Sequence, residues 1–139
     1  MPVTFHFVSP VKLPSRRKIS SLVKTIFAQE DKKLDSLNII FCDDDFLLKM
    51  NVEYLSHNYF TDIITFDLSD NDKTNGEIYI SIDSAKNNAK KYKVLLINEL
   101  IRLITHGCLH LCSYRDKKKI DKTLMTAKEN EYLLLFENM

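Results

Sequence analysis

Between Val94 and Leu111 the chain carries its most apolar stretch, and Glu99, Arg102, His106 and His110 interrupt it at helical intervals. At about 3.6 residues per turn these four fall on one stripe. Leu100, Ile101, Leu103, Ile104 and Leu111 surround the stripe. Such a helix has to be buried, and its polar stripe has to find partners inside the fold. The charged positions are too frequent for a membrane span, so no membrane partner is expected.

With 139 residues, 45% hydrophobic and 28% charged, the chain suits one globular domain over residues 1–139. Only two glycines and three prolines occur, which leaves no long disordered segment. The formal net charge of +1 does not mark the whole domain as a nucleic-acid binder, so any polyanion site must rest on a local patch. The opening Met1-Pro2-Val3-Thr4 lacks the basic and then apolar pattern of a secretory signal, and a cytoplasmic location is expected. The three cysteines, Cys42, Cys108 and Cys112, make no even disulfide set and read as reduced and buried.

Thr4–Val8 is rich in β-formers and predicts a strand. Pro14-Ser15 opens a helix with Ile19, Leu22, Val23, Ile26 and Phe27 on one face. Leu37–Phe41 predicts a second strand, after which Asp44 or Asp45 is expected to cap a helix bearing Phe46, Leu47, Met50, Tyr54 and Leu55. Ile63–Phe66 and Ile78–Ile82 predict a hairpin, joined through Asp70–Gly76, which is a turn or loop by composition. Three helices follow, over Ala85–Tyr92, Val94–Cys112 and Ile120–Phe136. The order predicts an α/β (α+β) single domain, with a mixed sheet of about four strands packed against helices.

His106 and His110 differ by only about 40° around a helix axis, so their rings can meet at one ion. The run Arg115-Asp116-Lys117-Lys118-Lys119 marks a helix end, and a turn there brings Asp116 back toward both histidines. Two helical ligands and a third beyond a short turn leave an open coordination position, as in catalytic metal sites. Histidines at this spacing also occur as ordinary solvated or core residues, and the polar stripe is what favours a metal. Cys108 and Cys112 lie on the opposite face. The pattern is close to the zincin helix motif H-E-x-x-H, but Gly107 occupies the place of its glutamate. A peptidase would lack its general base, and Gly107 reads as a close-packing position.

The segment from His106 to Asp116 resembles the signature H-G-x-L-H-L-x-G-Y-x-H of the YbeY family of ribosomal RNA maturation endoribonucleases. Ser113 replaces its glycine and Asp116 its third histidine. Asn51-Val-Glu-Tyr54, Thr61–Phe66, Gly76-Glu77-Ile78 and the pair Met125 and Glu129 resemble the family's N-x-x-Y, T-D-V-L-S-F, G-D-I and M-x-x-x-E. The resemblance implies a zincin-like metal helix with one zinc ion per chain on His106, His110 and Asp116. Manganese or iron is the less favoured occupant. It also implies cleavage of single-stranded RNA in small-subunit ribosomal RNA maturation and ribosome quality control. The partners it implies are ribosomal RNA and the ribosome or ribosome-associated proteins, not DNA.

Two departures from the family pattern matter. Leu55 stands where many members carry an arginine, and Arg102 is the candidate catalytic residue to replace its charge at a phosphate; pairing of Arg102 with Glu99 is the competing expectation. Asp116 is anionic where imidazole is neutral, which predicts a more alkaline activity optimum. Arg115, Lys117, Lys118 and Lys119 beside Asp116 are the candidate RNA-binding residues. The runs Lys12 with Arg16–Lys18 and Lys86 with Lys90, Lys91 and Lys93 also qualify by charge, and each run also reads as an ordinary solvated face. The rival functions are a non-catalytic ribosome-assembly factor with a structural metal and a small metallopeptidase.

Overall fold

The computed structural model describes residues 2–70 and 72–139. Strand β1 (Val3–Phe7) leads to helix α1 (Arg16–Gln29), β2 (Lys33–Cys42), α2 (Asp44–Leu55), β3 (Ile63–Asp67) and β4 (Lys73–Ser81). Helices α3 (Ile82–Tyr92), α4 (Leu96–Leu111) and α5 (Lys119–Glu137) complete the chain. The four strands lie in the order β1-β2-β4-β3. β1 and β4 each run parallel to β2, and β3 pairs antiparallel with β4. The result is the mixed sheet and helical cover expected of the sequence.

The period-two alternation of β4 divides its side chains between two layers. Ile78 and Ile80 join the main core with Leu37, Ile39 and Phe41 of β2 and the apolar faces of α1, α4 and α5. Tyr79 turns the other way, to a small cluster built on Cys42, Leu47 and Ile64 beneath α2. Helix α1 begins where Ser15 accepts the Lys18 N–H at 3.1 Å, as the Pro14-Ser15 opening predicts. In α4, Leu100, Ile101, Leu103, Ile104, Cys108 and Leu109 are each at most 1% exposed, so this helix is the axle of the core. No single helix among the described residues is long and apolar enough to cross a membrane.

Both glycines serve the seating of α4 on the sheet. A Cβ at Gly107 would lie 2.7 Å from Ile78 Cδ1 and 3.1 Å from Thr65 Oγ1. At Gly76 it would lie 2.7 Å from Leu111 Cδ1 and 3.3 Å from the Phe66 carbonyl oxygen. The close packing expected of Gly107 is therefore present, and it brings the stripe of α4 against the β3–β4 hairpin.

Two expectations are corrected. Residues Lys73–Gly76 are strand rather than loop, and Asn71 of the expected turn lies outside the described residues. Their polar composition hid a tertiary pairing: Lys73, Thr74, Asn75 and Gly76 lie opposite Lys33, Leu34, Ser36 and Leu37 of β2, across a register shift. The cap of α2 is Asp43, whose Oδ1 accepts the Phe46 N–H at 2.8 Å. Asp44 is engaged elsewhere, accepting from the hydroxyls of Ser81 and Ser84 and tying α2 to the start of α3.

Candidate metal centre

The stripe of α4 ends in a reversal that supplies the third donor. Ser113 takes the left-handed conformation at φ 76°, and the Tyr114 N–H reaches back to the Leu109 carbonyl at 2.9 Å. This is the hydrogen-bond pattern of a Schellman-type helix end. It swings Asp116 onto the exposed side of both histidines. Asp116 Oδ2 lies 3.3 Å from His106 Nε2 and 3.4 Å from His110 Nε2, and the two Nε2 atoms are 3.0 Å apart. A tetrahedral ion with metal–ligand bonds near 2.05 Å separates neighbouring donors by about 3.3 Å. The donor spacing fits such an ion.

The hydrogen-bond partners on the far side of each ring decide what those Nε2 atoms can be. His110 Nδ1 is 3.0 Å from the Tyr114 carbonyl oxygen, which only accepts, so Nδ1 carries the proton. His106 Nδ1 is 2.7 Å from Glu129 Oε2 and donates to that carboxylate. In the neutral tautomers these bonds favour, both Nε2 atoms present lone pairs, toward each other and toward a carboxylate oxygen. Three acceptors facing one point call for a cation between them. The group His106, His110 and Asp116 can hold a divalent metal ion.

Cys108 and Cys112 take no part. Both are buried and free, and desolvation raises both thiols, Cys112 to about 12, which disfavours the thiolate a metal needs.

Behind His106 a chain of polar contacts uses up the rest of the stripe. Arg102 donates to Glu99 twice, Nε to Oε1 at 2.8 Å and Nη2 to Oε2 at 2.6 Å, and its Nη1 lies 3.4 Å from Glu129 Oε1. These bonds, with Glu99 first, hold the guanidinium charge even more firmly than usual against the desolvation that opposes it. Asn88 Nδ2 donates to Glu99 Oε2 and to Asp62 Oδ2, each at 3.0 Å. The pairing of Arg102 with Glu99 is thus present. Arg102 stands behind the histidine and is not among the residues lining the cavity in front of it.

That cavity, of about 590 Å³, has His106, His110 and Asp116 in its wall together with Asp62 and Leu55, the position of the family arginine. Of the four basic residues singled out in sequence, Lys117 lines it; Arg115, Lys118 and Lys119 are exposed on the turn and the start of α5. The turn is also clamped from α1. Glu30 Oε1 accepts from the Tyr114 hydroxyl and Oε2 from the Tyr132 hydroxyl, each at 2.6 Å. Burial acts to raise the Glu30 carboxyl, but these bonds and the Lys128 charge outweigh it and hold it below its ordinary value.

Sequence reasoning gave Glu129 and Asp62 no role beyond a motif match, and it passed over Glu30 and Asn88. A glutamate four residues after Met125, on the same face of a helix whose apolar side must be buried, was the available signal for Glu129.

Fold and site together define a single-domain α+β protein built around a helix-borne histidine–carboxylate group that can hold a metal ion. The family model described as "Endoribonuclease YbeY" matches residues 9–137. The chain belongs to the YbeY family. It is 40% identical over 134 residues to the Endoribonuclease YbeY of Flavobacterium psychrophilum, covering 96% of each chain. It is 44% identical over 125 residues to that of Cytophaga hutchinsonii, covering 89% of this chain and 87% of the relative. A solution structure from Thermotoga maritima shares the fold, with a TM-score of 0.61 at 22% identity over 94% of this chain and 86% of that one.

Proposed function

We propose that this protein is a metal-dependent endoribonuclease that cuts single-stranded RNA in the maturation of small-subunit ribosomal RNA. One zinc ion on His106, His110 and Asp116 is its cofactor. The carrying observation is the convergence of two Nε2 atoms and one carboxylate oxygen, with both Nδ1 atoms engaged by oxygen acceptors on the far side of the rings. The names of the relatives support the activity, and the reaction would take place in the cytoplasm with the ribosome or its associated proteins as partners.

When bound, the ion supplies Lewis acidity toward a phosphoryl oxygen and makes water more acidic. The chain's own residues do the rest. Glu129 and the Tyr114 carbonyl hold the imidazole protons at Nδ1 and orient both rings. Asp116 closes the donor set from the turn. Lys117 in the cavity wall offers a charge to the RNA backbone, and Arg115, Lys118 and Lys119 extend that charge along the surface. Arg102 acts as a positioning residue for Glu129 rather than at the phosphate. Asp62, held through one oxygen by Asn88, keeps its other oxygen for a proton or hydroxyl in the cavity.

The peptidase reading lacks support, because Gly107 has no side chain to act as base and no room for one. The test is cleavage of a single-stranded ribosomal RNA fragment by the zinc-loaded protein. Cutting that stops with chelator and returns with zinc is expected. RNA binding with no cutting under any metal would favour a non-catalytic assembly factor.

A further inference from the structure

The loop between α2 and β3, which the proposed chemistry leaves without a role apart from Asp62, carries an aromatic pair at the wall of the metal-site cavity. The rings of His57 and Tyr59 stack with centroids 5.1 Å apart and planes 18° from parallel. The Tyr59 hydroxyl lies 3.0 Å from His57 Nδ1. Both residues line the cavity that contains His106, His110 and Asp116, yet Tyr59 is 55% exposed.

The pair is held in place from beneath. Asn51, only 2% exposed, accepts the His57 N–H on its backbone oxygen at 3.0 Å and donates from Nδ2 to the Tyr59 carbonyl at 2.9 Å. Ser56 caps α2 in the left-handed region at φ 56°, which turns the chain into this loop. One buried residue, through its backbone carbonyl on one side and its side-chain amide on the other, therefore fixes the backbone at both ends of an exposed ring stack. Aromatic rings held rigid and open to solvent at a cavity wall offer a flat apolar face to a ligand.

We propose that the His57–Tyr59 stack is a nucleobase platform, on which an unpaired base next to the scissile phosphate lies flat. This rests on the RNA-cleavage reading above. The neighbouring wall residue Leu55 carries no charge and offers a phosphate nothing to pair with, whereas every base offers a π face to an aromatic ring. A base inside a duplex has both faces covered, so the platform favours single strands. Phosphate contacts fall to Lys117 and the metal centre, and the base contact to the loop.

The test uses the zinc-loaded enzyme and a single-stranded RNA oligomer carrying 2-aminopurine beside the cleaved bond. Stopped-flow fluorescence reads stacking before cleavage, and initial rates give KM and kcat. Tyr59→Ala is expected to abolish the fluorescence quench and raise KM about tenfold, with kcat within about twofold of the parent. Tyr59→Phe, which keeps the ring, is expected to restore both. Tyr92→Ala, an exposed aromatic outside the cavity, should behave as the parent. An unchanged KM and quench in Tyr59→Ala, a loss confined to kcat, or a Tyr59→Phe variant as impaired as Tyr59→Ala overturns the platform. A parent enzyme that cuts RNA while Tyr59→Ala is unaffected removes the platform alone. A parent that neither binds nor cuts RNA removes the cleavage reading and the platform with it.

Discussion

Glu129 Oε2 lies 2.7 Å from His106 Nδ1, so a carboxylate on the last helix decides which nitrogen of a histidine on α4 is free to bind a cation. The same carboxylate meets Arg102, which is itself held by Glu99. The orientation of one metal ligand is thus referred back through three side chains to the core. Carboxylate partners of this kind make the imidazole a stronger donor and typically account for about 10–100-fold in metal affinity.

Glu129→Gln is therefore expected to weaken zinc binding about tenfold or more while the fold persists, since an amide oxygen still accepts from Nδ1 but carries no charge. Competition against a chromophoric chelator measures it. Unchanged affinity would mean that His106 is oriented by packing alone.

Arg102 should behave as a structural and positioning residue. Its removal leaves Glu99, 2% exposed, with an uncompensated charge. Breaking a buried ion pair costs about 3–5 kcal/mol, and the 30% exposure of the Arg102 side chain reduces that to about 2–3 kcal/mol. Chemical denaturation of Arg102→Gln reads the loss. In cleavage assays the same variant should lower kcat and zinc affinity and leave KM nearly unchanged. A large rise in KM with zinc affinity intact would return Arg102 to the phosphate.

Glu30 ties stability to pH through the turn that carries Tyr114. Its carboxyl is held below the ordinary value in the folded protein, so it binds a proton less readily there than in the unfolded chain. The stability it contributes is complete above the unfolded value of about 4.3 and is lost as pH falls through the folded one. The stability difference between the parent and Glu30→Gln should therefore be largest near neutrality and shrink below about pH 4. Melting curves across pH check the sign, and a gap that widens on acidification would contradict it.

Ser113 holds a left-handed φ of 76° that a glycine adopts without steric cost. Ser113→Gly should stabilise the protein by about 1 kcal/mol, read as a raised Tm, and should leave zinc binding intact. A lowered Tm would show that the serine side chain contributes more than its backbone costs.

What the sequence revealed, and what it hid, follows from range. The polar stripe of α4 shows in helical periodicity because Glu99, Arg102, His106 and His110 are close neighbours along the chain. Asp116 shows because a charged run after an apolar helix signals a reversal. Glu129 stands a turn and most of a helix from His106, and Glu30 meets Tyr114 from the far end of α1. Neither contact has a local signature. Lys73–Gly76 misled for the same reason: a polar segment becomes strand when a long β2 is present to pair with it. His57 and Tyr59 carry no signal in the sequence, because what fastens their loop is a contact with the buried Asn51.

Zinc stoichiometry of the purified protein tests the central claim most directly, measured by elemental analysis beside His110→Ala and Asp116→Ala variants of confirmed fold. One zinc per chain in the parent, and well below one in either variant after dialysis against a weak chelator, is the predicted result. A folded parent that retains no divalent metal, or variants that hold it as tightly as the parent, would contradict a cation bridging His106, His110 and Asp116.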